Sequence, residues 1–198
     1  MNDTDDSGTA AADRSAPSGP YDVEDLPEDG IERVDLGSLL IAPFVGNDLR
    51  LQVDEQTGEV RAVLLAGEQG AVELRAFAAP RNGDLWGEIR PQIAAETSRL
   101  GGTATEREGR FGTELLCELT VQQPDGTPAQ QVSRVVGVNG SRWLLRATFL
   151  GAPALDVEAA QPWDDAVALV AVRRGGHAMP VGEPLALKLP EGLQQVEE

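Results

Sequence analysis

The dipeptide Asn139-Gly140 constrains the fold of this sequence more than any other feature, because it separates two runs that alternate like β-strands. Asn followed by Gly suits the two central positions of a type I′ turn, which both need positive φ angles. The flanking residues 130–138 and 142–150 are therefore predicted to form an antiparallel hairpin with a two-residue loop. In that register Val136 lies opposite Trp143.

The predicted register sorts the hairpin side chains onto two faces. Trp143 and Phe149 share one face with apolar residues of the first strand, and this face is predicted to join the core. Arg134 falls on the same face, so we expect it near the sheet edge or at a bulge. Arg142 and Arg146 lie together on the opposite face.

Arg142 and Arg146 allow two interpretations. If the preceding turn brings Glu114 and Glu118 across from them, they form cross-strand ion pairs, each worth about 0–1 kcal/mol when exposed. Alternatively they form an anion-binding or partner-binding face, joined by Arg75 from an earlier strand. The sequence leaves both interpretations open.

Hydrophobic periodicity predicts the remaining elements. In chain order they are strands at residues 49–53, 59–66 and 71–78, a helix at 85–100, strands at 103–108 and 111–121, and a helix at 156–172. Asp84 is the predicted N-cap of the first helix, and Pro162 is predicted to delay the regular part of the second to Trp163. Runs of strands followed by single helices predict an α+β fold, in which two sets of about three antiparallel strands carry two main helices.

The two ends of the chain differ in composition from its centre. The net charge is −17, and residues 1–37 hold eleven acidic residues against two arginines. Residues 1–35 are therefore predicted to be a disordered acidic head, followed by a single domain over residues 36–175. Residues 176–198 are predicted to be an extended tail punctuated by prolines, in which Leu185, Leu187 and Leu189 dock as a strand or lie in a groove.

Composition also limits the function classes. A single cysteine excludes an internal disulfide, and the sequence shows neither a secretory signal nor an apolar run of 18 residues. These features predict a cytoplasmic protein that does not span a membrane. The acidic charge disfavours binding to nucleic acid, because phosphate groups are repelled.

Candidate catalytic and metal-binding residues are few. His177 is the only histidine and lies in a Gly-rich stretch, so no Ser-His-Asp or Cys-His arrangement is indicated. Cys117 alternates with leucines and is predicted to be a small core residue. The sequence predicts no metal site, no cofactor and no phosphate-binding loop.

The loop between the third strand and the first helix, residues 77–86, is the most distinctive connection in the chain. It either links the two elements with Trp86 as an anchor, or forms the rim of a binding cleft lined by Arg81 and Trp86.

Several segments together resemble a known family. They are residues 75–81, 85–86, 111–115 and 140–146, supported by the proline-bounded residues 184–190. On these segments the sequence resembles an actinobacterial family of a domain of unknown function. The family pattern has a proline at the turn, and this sequence has Ser141 at that position. The resemblance implies no activity. The layout also resembles, more weakly, the PsbP-like α+β fold, whose members mostly act as non-catalytic adaptors.

The sequence thus favours a non-enzymatic, cytoplasmic protein-binding or assembly-accessory module whose partner is another protein. Its candidate binding face comprises Arg75, Arg142, Arg146, Arg81 and Trp86. One alternative is a small-ligand-binding protein or an enzyme, which a closed pocket beside these arginines would favour. Another is a nucleic-acid-associated protein, which a basic stripe without nearby acids would favour. The sequence identifies neither the partner nor the oligomeric state.

Overall fold

A computed structural model describes residues 18–190 of the chain. Its strands are β1 (Tyr21–Asp22), β2 (Val34–Asp35), β3 (Leu39–Ile41), β4 (Asp48–Val53), β5 (Val60–Gly67), β6 (Gly70–Ala78), β7 (Thr103–Gly109), β8 (Gly112–Gln122), β9 (Pro128–Asn139), β10 (Trp143–Gly151) and β11 (Ala171–Val172). Its helices are α1 (Leu85–Arg99), α2 (Ala152–Leu155) and α3 (Val157–Ala168), and one 3-10 turn spans Val23–Asp25.

A seven-stranded antiparallel sheet forms the centre of the molecule, in the order β4-β5-β6-β10-β9-β8-β7. It consists of two meanders joined where β10 pairs with β6. Helix α1 packs on one face through Leu85 and Trp86, and α3 packs on the other through Trp163 and Val167. The predicted α+β fold is therefore confirmed.

The alternation of β6 shows how the sequence builds this sheet. Leu74 and Ala76 point into the core on the α3 side, whereas Arg75 and Phe77 point to the α1 side and are only partly buried. A central strand of an antiparallel sheet with period-two alternation behaves in this way.

The hairpin turn differs from the prediction. The Gly140 N–H donates to the Trp143 carbonyl at 2.7 Å, so the chain reverses at Ser141 and Arg142 rather than at Asn139-Gly140. Asn139 instead pairs with Leu144 as part of the hairpin. The shift amounts to an even number of residues, so the predicted faces of the strands are unchanged. Arg142, however, lies in the turn and not on the sheet.

Asn139 serves the start of helix α1 instead of the turn. Its side-chain oxygen accepts from the Trp86 N–H at 3.1 Å, and its side-chain nitrogen donates to Asp84 at 2.8 Å. Asp84 is the N-cap of α1, as predicted, and accepts from the Gly87 N–H. These contacts tie the helix to the end of β9.

The predicted register between β8 and β9 is wrong by one residue. Glu118 pairs with Val132 rather than with Ser133. Because strand side chains alternate, a slip of one residue moves each side chain to the other face of the sheet. Glu114 and Glu118 therefore lie on the face opposite Arg146, and the predicted ion pairs with Arg142 and Arg146 do not form.

Arg134 lies in the core rather than at an edge or a bulge. Its side chain is ion-paired with Glu114 at 3.4 Å and with Asp164, and its guanidinium lies 3.9 Å from the ring centroid of Phe149. Arg107 also contacts Glu114, at 2.7 Å. Buried charges are tolerated when they are paired in this way, and the network links β7, β8 and β9 to α3.

The regular part of helix α3 begins earlier than predicted, and the helix ends at Ala168, before the predicted end at Val172. Asp156 caps it by accepting from the Glu158 N–H, and the helix runs through Pro162. The regular part therefore does not wait for Trp163. Asp164 lies in the middle of the helix, where it pairs with Arg134.

The folded domain extends beyond the predicted residues 36–175 in both directions. Residues 1–17 of the predicted disordered head lie outside the described residues, but residues 18–35 form β1, the 3-10 turn and β2. Strand β1 pairs in parallel with β11, within a second sheet of order β1-β11-β3-β2. The Asp22 carboxylate accepts from the Trp143 indole N–H at 3.0 Å.

The tail joins the two sheets. The Leu185 N–H donates to Ala76 of β6 at 2.9 Å, and the Lys188 N–H donates to Leu36 at 2.8 Å. Leu185 is buried in the core, whereas Leu189 is 42% exposed. The described part of the tail, residues 176–190, is thus an extended segment bound along an edge of β6.

Candidate functional site

Ion pairing separates the arginines of this protein into two groups. Most arginines within residues 18–190 contact a carboxylate. The exceptions in this part of the chain are Arg75, Arg81, Arg142, Arg146 and Arg174. Four of these five belong to the predicted binding face. In a protein with twice as many acidic as basic residues, arginines without a carboxylate are candidates for binding an external anion.

These arginines lie in two separate places. Arg75 and Arg146 lie opposite each other on β6 and β10 and are called the arginine pair. Arg81, Arg142, Arg173 and Arg174 line one cavity at the end of the sheet, called the arginine pocket. The predicted single face is therefore divided between two sites.

The arginine pair is built on an aromatic ring. The guanidinium carbons of Arg75 and Arg146 lie 5.4 and 5.2 Å from the ring centroid of Phe77. The other lateral neighbour of Arg146 is Gly137, which has no side chain to offer a counter-charge. Cation–π contacts of this kind are worth about 0.5–1 kcal/mol at exposed sites and hold the two cations in place.

The charges of the pair are poorly compensated. Burial, followed by the positive charge of Arg75, lowers the pKa of Arg146, whereas Glu73 acts to raise it. The Nε of Arg75 is buried and has no hydrogen-bond partner. Like charges directly opposite each other destabilise a sheet, so an anion between them would remove a cost as well as form new bonds.

An apolar groove lies beside the pair. It encloses about 400 Å³ between α1 and the sheet and is lined mainly by apolar residues such as Phe77, Ile89 and Ile93. Of the pair only Arg146 lines it, and Glu96 is its one acidic lining residue. Leu100, at the end of α1, also lines it and is 63% exposed. Helical spacing puts Ile89 and Ile93 on the face of α1 that looks toward the sheet. The site therefore combines fixed positive charge with apolar surface.

Trp86 does not line a cleft, and the prediction that it belongs to the binding face is wrong. Its side chain is 4% exposed and packs on β9, where Gly137 leaves room for the indole. The indole N–H donates to the Thr113 carbonyl at 2.7 Å. Trp86 thus anchors α1 to the sheet, which is the other interpretation that the sequence allowed.

The arginine pocket is assembled by backbone contacts between distant segments. The Ala79 N–H donates to the Arg142 carbonyl, and the Asn82 N–H donates to the Ser141 carbonyl, both at 2.9 Å. Arg142 in turn donates to the Gly175 carbonyl at 3.0 Å. The strand-to-helix loop, the hairpin turn and the segment after β11 are therefore held together around one cavity of about 560 Å³.

Sequence reasoning missed three participants in these sites: Phe77, Arg173 and Arg174. The strand period predicts that Phe77 shares a face with Arg75, but not that its ring lies against both arginines of the pair. The tandem Arg173-Arg174 before two glycines gave a compositional signal, but its proximity to Arg81 depends on the tertiary fold.

Residues 18–190 contain no group of three or more His, Cys, Asp or Glu side chains that could hold a metal ion. Burial raises the pKa of Cys117, which fits its predicted role as a core residue. In the same part of the chain, no helix is long and apolar enough to cross a membrane.

The fold and these two sites define the class of this protein as an α+β domain. Within residues 18–190, it carries arginines that have no carboxylate partner. The chain belongs to a family described as a protein of unknown function, DUF3710, whose model matches residues 19–196. A search of curated protein sequences found no match. A crystal structure from Bacteroides thetaiotaomicron is similar, with 15% sequence identity and a TM-score of 0.38. The similarity covers 73% of this chain and 52% of the other, so this chain spans about half the length of that protein.

Proposed function

We propose that this protein is a non-enzymatic, cytoplasmic binding module that docks an acidic segment of a partner protein in the groove beside the arginine pair. The observation that carries the proposal is the direct opposition of Arg75 and Arg146, which contact no carboxylate within residues 18–190. Arg146 also lines an apolar groove. Fixed cations beside apolar surface match a segment that combines Asp or Glu with apolar side chains.

Charge complementarity favours an acidic occupant. A carboxylate that reaches both guanidinium groups gains charge-assisted hydrogen bonds, each worth about 1.5–3 kcal/mol in a partly desolvated setting. It also relieves the repulsion within the pair. Most other arginines in the described chain already contact acids, which supports a protein partner over nucleic acid.

The shape of the groove favours a protein segment over a small molecule. The groove is open along α1, and Leu100 leaves apolar surface exposed at its end. Small-molecule sites enclose most of the surface of their ligands, whereas peptide grooves stay open and bind side chains at intervals.

A displayed library of short peptides, selected against the full chain, tests this proposal. We expect the selected peptides to combine acidic and apolar residues, and a labelled member to bind less tightly as salt increases. The double variant Arg75→Gln/Arg146→Gln should weaken that binding by about tenfold or more. Arg50→Gln is the matched control, because Arg50 lies on β4 of the same sheet and pairs with Asp48.

Two results would overturn the proposal. One is selection of peptides without acidic residues. The other is equal binding of the selected peptide to the wild type and to the Arg75→Gln/Arg146→Gln variant. Thermal melting of each variant shows whether a loss of binding reflects a loss of folding.

A further inference from the structure

The arginine pocket is separate from the groove and is not used by the proposed function. We propose that it binds a compact oxyanion of the phosphate class, such as a phosphate or pyrophosphate group of a small molecule. Four arginines from three chain segments line one cavity of about 560 Å³. Such convergence of like charge costs free energy unless an anion compensates it.

Three of the four side chains are held in position by the protein. Arg142 donates to the Gly175 carbonyl at 3.0 Å, and Arg174 donates to the His177 carbonyl at 3.0 Å. Arg173 donates to the Gly37 carbonyl at 2.8 Å and also pairs with Asp35 at 2.9 Å. A guanidinium carries five N–H donors, so each of these contacts leaves further donors for a ligand. Fixing the side chains in advance lowers the entropy cost of binding.

One donor of a residue that lines the pocket has no partner. The Nε of Arg174 is buried and has no hydrogen-bond partner. A buried donor without an acceptor destabilises the fold, and the cost is larger for a charged group. Arg81 adds a fourth, exposed guanidinium at the rim of the same cavity. The pocket therefore holds donor capacity beyond what its internal contacts use.

The acidic residues at the rim cancel only part of this charge. Asp22 is engaged by the Ser141 hydroxyl at 3.1 Å and by the Trp143 indole at 3.0 Å. Glu24 lies at the exposed edge of the cavity. With Asp35 paired to Arg173, the cavity keeps an excess of positive charge in a chain whose net charge is −17.

The arrangement of the donors favours phosphate over carboxylate. The arginines approach the cavity from the strand-to-helix loop, the hairpin turn and the segment after β11. A tetrahedral phosphate offers oxygens in several directions and up to two charges, whereas a carboxylate offers two oxygens in one plane. Bidentate guanidinium contacts to phosphate are correspondingly common.

Calorimetric titration of the full chain with pyrophosphate and with inorganic phosphate tests this inference, with acetate as the carboxylate comparison. We expect pyrophosphate to bind more tightly than acetate. Arg81→Gln should weaken pyrophosphate binding without loss of folding, because Arg81 is exposed. The double variant Arg81→Gln/Arg174→Gln should weaken it by about tenfold or more.

Two control variants separate this site from other surfaces. Arg99→Gln, at the exposed end of α1 and paired with Glu96, should bind pyrophosphate like the wild type. Arg75→Gln/Arg146→Gln should also retain pyrophosphate binding, so failure of the groove proposal would leave this one standing. Absence of pyrophosphate binding, tighter binding of acetate, or undiminished binding by Arg81→Gln/Arg174→Gln would overturn the inference.

Discussion

Replacing Gly137 with alanine is expected to destabilise this protein strongly, because the glycine provides the space in which Trp86 packs. A Cβ atom at position 137 would lie 2.2 Å from the indole ring of Trp86. Ordinary carbon contacts are about 3.5–4.0 Å, so the ring or the strand must move by more than 1 Å. Neither moves freely. Position 137 lies in the interior strand β9, and the indole is held by its hydrogen bond to Thr113.

The expected loss of folding stability depends on how far Trp86 is displaced. Overpacking of a core typically costs about 1–3 kcal/mol, and complete loss of a buried tryptophan costs about 3–5 kcal/mol. Displacement of Trp86 without full ejection lies between these limits, at about 2–4 kcal/mol. For a domain of this size, that corresponds to a fall in melting temperature of roughly 5–15 °C.

Urea and thermal unfolding, followed by tryptophan fluorescence and circular dichroism, measure this cost. Gly176→Ala is the matched control, because no atom lies within 4 Å of its added Cβ and its φ is not in the left-handed region. In a Trp86→Leu background, Gly137→Ala should cost at least about 1 kcal/mol less than in the wild type. A change below about 0.5 kcal/mol for Gly137→Ala alone, similar to Gly176→Ala, would refute the packing argument.

Three further predictions concern stability. Leu185→Ala should destabilise the domain by about 2–4 kcal/mol in urea unfolding, since Leu185 is buried, whereas exposed Leu189→Ala should cost less than about 0.5 kcal/mol. Asp164→Ala should lower the free energy of unfolding by about 3 kcal/mol in the same assay, because buried Arg134 loses one of its carboxylate partners. A near-neutral result would contradict this expectation. The pKa of Asp29 is lowered to about 2, first by its hydrogen bond with the Arg33 side chain. A lowered folded-state pKa stabilises the fold above about pH 4, and this stability is lost as the pH falls toward 2. Asp29→Asn should therefore differ from the wild type at pH 7, by less than about 1 kcal/mol after solvent screening, and converge with it near pH 2; a constant difference would exclude this linkage.

Local patterns predicted much of the sheet and of helix α1. Alternation identified the central strands, and the cap at Asp84 marked the start of α1. The same patterns placed Trp143 and Phe149 in the core, because an even shift of the hairpin leaves the two faces unchanged. The selection of Arg75 and Arg146 as surface arginines also came from alternation alone.

The predictions that were wrong depended on contacts between distant segments. Asn139-Gly140 has the local signal of a turn, but Asn139 is bound by the start of α1, which lies far away in sequence. The β8–β9 register could not be predicted from the turn, and its one-residue slip brings Glu114 to Arg134 instead of Arg142. Likewise, the acidic composition of residues 18–35 predicted disorder, whereas strand β1 forms there by pairing with β11.

By itself, the sequence determined the fold class, the strands with clear alternation and the arginines worth considering, because side-chain period and cap chemistry are local properties. Only the tertiary structure decided that Arg75 faces Arg146 over Phe77 and that Arg81 meets Arg174 across a cavity. It also decided that Trp86 is an anchor rather than part of a site. The physical reason is that register and the docking of loops are fixed by the sum of many long-range contacts, and a shift of a single residue reverses which charges meet.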